Sequence, residues 1–234
     1  MKARSEHLAG ASSADKPKSK APVPRLPPEQ RRAMILERAI EFFAEYGLTA
    51  QTRALANACG VTQRLLYRYF PSKAALLSEV YKKGILQPFQ KDWIKLLKDE
   101  SRPLDERLNT FYHDYFREVL TRRWLRLFLY ASLADARMAP EYIRSVIMEM
   151  LETIVRVTAR DQGVNLPRDP AVLHEIGWVL HGAVSHLAIR RHLYEASQGL
   201  PVERVIALHV RAFVASFPDV VAEARGQRAP SRQA

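Results

Sequence analysis

The chain of 234 residues is 47% hydrophobic and has only 9 glycines, which predicts a globular protein with a substantial core and excludes a fibrous or fully disordered chain. Its formal net charge of +11 predicts attraction to a polyanion, either nucleic acid or an anionic membrane surface. The single cysteine, Cys59, excludes an intrachain disulfide. Because we find neither a signal-peptide core nor an uninterrupted apolar run of about 18 residues, we expect a cytoplasmic protein without a membrane anchor.

Both ends of the chain have the composition of unstructured segments. Residues 1–27 are rich in Ala, Ser, Pro and Lys, so they cannot bury enough apolar surface to offset the entropy of ordering. We expect a basic arm that follows phosphates or enters a minor groove, or alternatively a solvated tail without specific contacts. Residues 222–234 are expected to be frayed. The basic residues of the arm are Lys2, Arg4, Lys16, Lys18, Lys20 and Arg25.

Four helices are predicted between residues 28 and 87, because apolar residues recur there at helical spacing. Glycine readily adopts positive φ, so Gly47 and Gly60 mark two of the breaks. Thr62 and Ser72 have side-chain oxygens that can cap the helices that follow them, and Pro71 separates those two helices. The four helices are expected at residues 28–46, 51–59, 62–69 and 73–87.

Beyond Pro88 the sequence reads as long helices separated by proline and glycine. We find no alternating strand pattern and no internal repeat, so the second module is predicted to be an all-helical bundle. The long helices are expected at about residues 103–120, 122–137, 140–161, 170–196 and 202–217.

Residues 51–70 have the pattern of a helix-turn-helix, in which two short helices cross steeply around a turn of small residues. Ala56 and Ala58 permit close contact between the helices. The rest of the second helix is polar, basic and aromatic, which suits a helix that enters a major groove about 12 Å wide. A buried face is supplied by Leu55, Val61, Leu66 and Phe70.

This segment resembles the DNA-binding domain of the TetR-type (TetR/AcrR) transcriptional regulators. The resemblance implies an all-α fold with an N-terminal helix-turn-helix DNA-binding domain at residues 28–88 and a helical effector-binding and dimerisation domain at residues 89–221. It implies a repressor that binds a palindromic operator as a homodimer and is released by a small-molecule effector. The matching residues, at the family's spacing, are Phe42-Phe43, Gly47, Leu55-Ala56, Gly60-Val61-Thr62, Leu66-Tyr67, Tyr69-Phe70 and Ser72-Lys73.

Three residues are candidates for reading bases. Gln63 and Arg64 lie in the first turn of the helix that, by the resemblance, enters the major groove, and their side chains suit adenine and guanine edges respectively. Arg53 either reads guanine or binds a phosphate. Arg64 stands where the family commonly has a small residue or proline, so the operator sequence stays open.

The other expected DNA contacts position the helix without reading sequence. Tyr67, Tyr69 and Lys73 can donate to phosphate oxygens, and Lys73 also lies at a helix N-terminus, where an anion is favoured. Partial burial is the alternative for either tyrosine. Arg68 is expected on the DNA backbone, and Thr52 and Thr62 at the starts of their helices complete the predicted site.

An aromatic cluster in the second module is the candidate effector pocket, with ordinary bundle core as the alternative. Two long apolar helices near the C-terminus are expected, by the resemblance, to pair with their mates in a four-helix dimer interface. Burial within one subunit is the alternative. The pocket residues are Phe111, Tyr112, Tyr115, Trp124, Phe128, Trp178 and His181, and small residues that would admit a partner helix are Gly177, Gly182, Ala183 and Ala188.

We expect no enzyme, no metal and no cofactor. The histidines of the long helix at 170–196 are separated by seven, five and six residues, whereas a helical metal pair needs a spacing of three or four. A phosphate-binding glycine loop and a nucleophile elbow are also missing from the sequence. Cys59 is expected to be a small buried side chain rather than a redox sensor. The rival function is a helical protein that binds or converts acidic metabolites or binds a membrane surface.

Overall fold

A computed structural model describes residues 26–134, 138–194 and 199–226, and these residues form helices, turns and loops. The predicted all-α fold is thereby confirmed. Most of the expected basic arm, residues 1–25, lies outside the described residues, as does the end of the predicted frayed tail, residues 227–234.

The first four helices follow the predicted order, and their ends have the expected chemistry. Gly47 adopts a φ of 81°, and its amide donates to the Phe43 carbonyl at the end of the first helix. Thr62 Oγ1 accepts from the Leu65 amide at 3.2 Å, and Ser72 Oγ accepts from the Ala75 amide at 3.1 Å, so both predicted caps are confirmed. The helices are α1 (Pro28–Tyr46), α2 (Thr52–Ala58), α3 (Gln63–Tyr69) and α4 (Lys73–Tyr81).

A π-helical turn at Lys82–Leu86 continues α4, which the sequence predicted as one regular helix to residue 87. A Cβ atom added at Gly84 would lie 2.8 Å from Leu127 Cδ2 and 3.3 Å from Ile40 Cγ2, so this turn is packed tightly between two other helices. A short helix, α5 (Asp92–Lys98), then follows. Its seven residues were not predicted.

Six further helices complete the bundle, and α10 packs between α9 and α11. The predicted helix at residues 140–161 contains a second π-helical turn, Ile143–Ile147, between its two α-helical parts. The six are α6 (Leu104–Glu118), α7 (Arg122–Ala134), α8 (Met138–Tyr142), α9 (Met148–Gln162), α10 (Pro170–His192) and α11 (Val202–Ala224).

Helix α11 runs through Pro218 to Ala224, which corrects the predicted end at residue 217. Proline has no amide hydrogen, so the carbonyl of Val214, four residues earlier, loses its helical donor. The side-chain amide of Gln162, at the end of α9, donates to that carbonyl at 2.8 Å. Because this bond satisfies the freed carbonyl and Val221 beyond the proline is buried, the helix continues.

Helix α11 has 23 residues, and an 18-residue stretch of it has a mean hydropathy of 1.6, so it could cross a membrane when judged by length and composition alone. In the structure one side of α11 packs into the bundle through Ile206, Phe213 and Phe217. Only 28% of its apolar stretch is buried, and Leu208 is 43% exposed. We therefore describe α11 as a bundle helix whose outer face is uncovered within the subunit.

Gly177 on α10 lies directly against α9, where an added Cβ would be 2.8 Å from Leu151 Cβ and 3.2 Å from Leu151 Cα. Ala188 is also fully buried. These two small residues therefore pack within the subunit, which was the alternative to contact with a partner helix. Gly182 differs, because an added Cβ would meet nothing within 4 Å.

Alanine at these two glycines is expected to have opposite effects on stability. Gly177→Ala must displace the backbone of α9, so we expect the free energy of unfolding to fall by about 1–3 kcal/mol. Gly182→Ala meets no neighbour in the subunit and is expected to raise it by about 0.5–1 kcal/mol, because alanine is the better helix former. Urea denaturation of both variants measures the difference, and a loss of equal size at both positions would contradict this packing.

Candidate DNA interface and buried cavity

A network of three polar side chains joins the start of α2 to α3. Gln63 Nε2 donates to Thr52 Oγ1 at 3.2 Å, and the Tyr67 hydroxyl lies 3.1 Å from the same oxygen. Gln63 and Tyr67 are exposed, and Thr52 is half-buried. The network fixes the crossing of α2 and α3 with hydrogen-bonding groups that face solvent.

Three arginines on the same two helices have no counter-charge among the described residues. Arg53 on α2 and Arg64 and Arg68 on α3 are exposed. Within residues 26–134, 138–194 and 199–226, none of their side chains has a hydrogen bond or an ion pair. A surface with three uncompensated guanidinium groups attracts phosphate, and the planar fork of arginine also matches guanine O6 and N7.

Lys73 and Tyr69 lie at the edge of this surface. The Lys73 ammonium donates to the Ala50 carbonyl at 2.8 Å and so holds the loop before α2. Since an ammonium has three donors, two remain for another acceptor. Tyr69 is half-buried and packs against the core, which is the partial burial expected as the alternative to a phosphate contact. Tyr67 is 37% exposed.

Helix α7 is bound to the C-terminal end of α1 by Arg126, whose guanidinium donates to the carbonyls of Ala44 and Glu45, each at 2.7 Å. Arginine at this position satisfies free carbonyls and complements the helix dipole. Arg122 pairs with the Glu45 carboxylate at 3.1 Å. These contacts fix the first helix to the bundle, and the sequence offered no local signal for them.

Glu37 on α1 forms a second ionic contact with the bundle, with Arg123 on α7 and with Lys83 in the π-helical turn. Burial acts to raise the pKa of the Glu37 carboxyl, but the hydrogen bonds from Arg123 and Lys83 outweigh it and hold that pKa below its usual value. The carboxylate is thus stabilised in its charged form where α1, α7 and the π-helical turn meet.

A cavity of about 150 Å³ lies between α6, α7, α8 and α10. All of its lining residues are uncharged, since burial keeps its one histidine neutral. Five of the seven predicted pocket residues line it. Phe111 and Tyr112 do not line it, and both are fully buried in the core. The lining residues are Tyr115, Leu120, Trp124, Leu125, Phe128, Leu129, Tyr142, Ile143, Ile147, Trp178, His181, Ser185 and Ile189.

Few polar groups reach this cavity. His181 Nε2 lies 3.3 Å from Ser185 Oγ, and its Nδ1 is buried without a hydrogen-bond partner. Burial lowers the pKa of His181 to about 3, so the imidazole is neutral near pH 7. The hydroxyls of Tyr115 and Tyr142 lie 3.5 Å apart, and burial raises the pKa of Tyr142 to about 12.

Trp124 links the cavity to the turn that follows α4. Its ring stacks on Phe128 with centroids 4.8 Å apart and forms part of the cavity wall. Its indole Nε1 donates to the Ile85 carbonyl in the π-helical turn at 3.2 Å. A change in the position of this ring would therefore act directly, through this hydrogen bond, on the segment that continues α4.

The family model described as bacterial regulatory proteins, tetR family, matches residues 35–80. A TetR-like transcriptional regulator from Rhodococcus sp. RHA1 is 18% identical, with a TM-score of 0.62, covering 82% of this chain and 98% of its own. A proposed transcriptional regulator from Pseudomonas aeruginosa PAO1 is 20% identical, with a TM-score of 0.61, and covers 87% and 97%. A search of curated proteins gives no match.

Residues 35–80 are therefore the N-terminal domain of a TetR-type regulator. The matched residues include α2, α3 and the end of α1, so the helix-turn-helix predicted at residues 51–70 is the DNA-binding element of this TetR-type protein. The similar structures, at these levels of identity, show a shared fold over 82% and 87% of this chain. The individual DNA contacts, the domain boundaries and the pocket residues stay predictions.

Two residue types that invited other chemistry have ordinary surroundings in this TetR-type fold. Within the described part of the chain, no group of three or more His, Cys, Asp or Glu side chains could hold a metal ion. Cys59 is 2% exposed, and burial raises the pKa of its thiol. Its Sγ faces the Ile35 carbonyl at 3.9 Å, which fits a packed small side chain.

Acidification is expected to destabilise this TetR-type protein through His181, which is packed against the rings of Tyr112, Tyr115 and Trp178. Its folded pKa is about 3. In the unfolded chain the pKa of histidine is about 6.5. On acidification the unfolded state therefore binds a proton at this residue while the folded state does not. This contribution to stability is present above about pH 6.5 and is lost as the pH falls toward 3.

Urea denaturation at two pH values measures this effect. Between about pH 7 and about pH 5.5, wild type is expected to lose about 1 kcal/mol more stability than His181→Phe, which has no titrating group at this position. Equal losses in the two proteins would show that His181 binds a proton in the folded state.

Proposed function

We propose that this TetR-type regulator is a cytoplasmic repressor that binds a palindromic operator as a homodimer and releases it when a small-molecule effector binds. The observation that carries DNA binding is the surface of α2 and α3. There Arg53, Arg64 and Arg68 have no counter-charge in the part of the chain that the structure describes, and they lie beside the polar network of Gln63. Such a surface suits a polyanion that also offers base edges. In this proposal residues 28–88 form the DNA-binding domain, and residues 89–221 form the domain that binds the effector and dimerises.

Within this surface the roles divide by position. Gln63 and Arg64, in the first turn of α3, read bases, and Arg53 reads a base or binds a phosphate. The phosphate contacts fix the pose and carry no sequence information of their own. The residues proposed to make these phosphate contacts are Thr52, Thr62, Tyr67, Arg68, Tyr69 and Lys73.

The outer faces of α10 and α11 support the homodimer. Val179 and Leu208 are 50% and 43% exposed, and Gly182 leaves room for a neighbouring backbone. Ala212 and Ala215 on α11 are also exposed, at helical spacing from Leu208. An apolar face of small residues on two adjacent helices suits a twofold four-helix interface, whose symmetry matches a palindromic operator.

Release of the DNA runs through Trp124. An effector in the cavity touches this ring, which is hydrogen-bonded to Ile85 in the turn that continues α4. Because α4 begins next to α3, a shift of the turn changes the separation of the two recognition helices in the dimer. Linkage requires that operator binding weaken effector binding by the same factor.

Fluorescence anisotropy on the duplex upstream of the protein's own gene tests the proposal. Specific binding that exceeds binding to a random duplex by at least about 1,000-fold supports a repressor of this kind, and the affinity must fall steeply with salt. Equal affinity for every duplex would reject it. Adding the effector at saturating concentration must then lower operator affinity, and an unchanged affinity would reject release while leaving DNA binding in place.

A further inference from the structure

We propose that the cavity between α6, α7, α8 and α10 binds the apolar chain of an amphipathic monocarboxylate, whose carboxylate stays outside the cavity beside Arg122. This inference rests on the proposed function, in which the same cavity receives the effector, and it names the class of ligand. It is carried by the apolar walls of the cavity, by its opening at Leu129 and by the charge of the groove that adjoins this opening.

The walls of the cavity offer no partner to a charged group. Among the described residues, no Lys, Arg, Asp or Glu lines it. The Ser185 hydroxyl lies 3.3 Å from His181 Nε2, so these two polar side chains face each other. A carboxylate or ammonium buried in this space of about 150 Å³ would be without a partner, which is strongly unfavourable. The part of a ligand that enters the cavity is therefore apolar.

Leu129 lies at the opening of the cavity. Its side chain is 38% exposed, and it lines both the cavity and a surface groove of about 280 Å³ along α7. Because the cavity and the groove meet at this side chain, a ligand can extend past Leu129 from one into the other. The described residues that line the groove are Arg122, Arg126, Leu129, Tyr130, Leu133 and Leu193.

The groove favours an anionic end group over a cationic one. Arg122 and Arg126 line it, and within the described ranges no acidic side chain does. Arg126 donates to the carbonyls of Ala44 and Glu45. Arg122 is half exposed, and in the part of the chain that the structure describes only its Nη1 forms a hydrogen bond. Its Nε and Nη2 remain as donors, in a planar fork that matches the two oxygens of a carboxylate.

Arg122 also connects this groove to the DNA-binding helices. Its guanidinium pairs with the Glu45 carboxylate, at the end of α1, at 3.1 Å. A ligand carboxylate at Arg122 would share the guanidinium with Glu45, and the two negative charges would repel each other. Binding of the ligand therefore weakens a contact that fixes α1 to α7. For the same reason, removing the charge of Glu45 is expected to strengthen binding of a carboxylate.

Isothermal titration calorimetry of the full chain without DNA tests the ligand class, with heptanoate, butanoate, heptylammonium and heptanol as probes. We expect one saturable heptanoate site per subunit. Butanoate has three fewer methylene groups to bury, so it is expected to bind at least about 10-fold more weakly than heptanoate. Heptylammonium carries the opposite charge on the same chain, so it is expected to bind at least about 5-fold more weakly than heptanoate.

Two variants with opposite expected effects locate the carboxylate. Arg122→Gln is expected to weaken heptanoate about 3- to 5-fold, and Glu45→Gln to strengthen it about 2- to 3-fold, because both side chains are half exposed and screened by water. Heptanol has no charge, so neither variant is expected to change its affinity by more than about 1.5-fold. Arg117→Gln is the matched control, because Arg117 also forms exposed ion pairs but lines neither the cavity nor the groove.

The heptanol affinity of each variant reports whether its cavity is intact, and the comparison of the four probes on wild type needs no variant. The proposal is overturned if heptanoate does not bind, or if butanoate or heptylammonium binds wild type as tightly as heptanoate. It is also overturned if Arg122→Gln weakens heptanol as much as heptanoate, or if Arg117→Gln weakens heptanoate as much as Arg122→Gln does.

Failure of this inference differs from failure of the proposed function. The calorimetry contains no DNA, so an absent heptanoate site overturns the ligand class and leaves operator binding intact. If heptanoate binds as expected but does not change operator affinity in the anisotropy assay, the ligand class of the cavity is established and release by this site is rejected.

Discussion

Leu208→Glu is expected to turn the dimer into a monomer and to lower its affinity for a palindromic operator by at least about 100-fold. Leu208 is 43% exposed in the subunit, on the outer face of α11. In the proposed interface the new carboxylate would be buried and would face the like charge of its twofold mate. A monomer engages one half-site at a time and loses the gain in effective concentration that the second half-site gives.

Sedimentation analysis and anisotropy on the same samples measure this effect. Leu133→Glu is the matched control, because Leu133 on α7 is 87% exposed and lies outside the faces of α10 and α11. It is expected to remain dimeric and to bind the operator like wild type. A helical circular dichroism spectrum shows that the Leu208 variant is folded. If that variant stays dimeric, the interface lies elsewhere on the subunit.

Arg64→Ala is expected to weaken operator binding by about 1–3 kcal/mol and to abolish the preference for one base pair in each half-site. Arg64 has no partner among residues 26–134, 138–194 and 199–226, so its removal leaves no protein group unpaired. Its guanidinium can form two hydrogen bonds with guanine, whereas alanine can form none. The loss is therefore confined to DNA, with little change in the stability of the free protein.

Lys73→Ala gives the contrasting result. Removing a phosphate contact weakens all duplexes alike and reduces the slope of log affinity against log salt by about 1. The variant also loses the bond to the Ala50 carbonyl, so its thermal stability falls as well. Anisotropy on the operator, on single-base variants and on random duplex separates the two residues. If Arg64→Ala weakened binding to all sequences equally, Arg64 would be assigned to a phosphate contact and not to base reading.

Features with a local cause could be predicted from the sequence. The caps Thr62 and Ser72 and the stop at Gly47 depend on a side chain and on backbone within four residues, so they are found where the pattern placed them. The helix-turn-helix could be predicted for the same reason, because its caps and turn depend on residues that are close together in the sequence. Helical spacing fixes which side chains face the core, and those that face outward on α2 and α3 are the ones available to DNA.

The π-helical turns and the course of α11 could not be predicted in this way. A proline normally ends a helix, and only the Gln162 amide, 52 residues from the Val214 carbonyl it satisfies, allows α11 to continue. Gly177 and Gly182 look alike in the sequence of α10. A Cβ added at Gly177 meets Leu151 of a neighbouring helix, and one added at Gly182 meets no described residue within 4 Å.

The sequence by itself determined an all-helical chain with a helix-turn-helix at residues 51–70, because periodicity, caps and turn residues act within a few positions. Only the tertiary structure decided that Tyr142 lines the cavity while Phe111 and Tyr112 do not, and that Arg126 binds carbonyls 81 and 82 residues away. The hydrogen bond from Trp124 to the Ile85 carbonyl is a further example, because the two residues are 39 positions apart in the sequence. Such contacts arise from the packing of helices distant in sequence, and no local pattern records them.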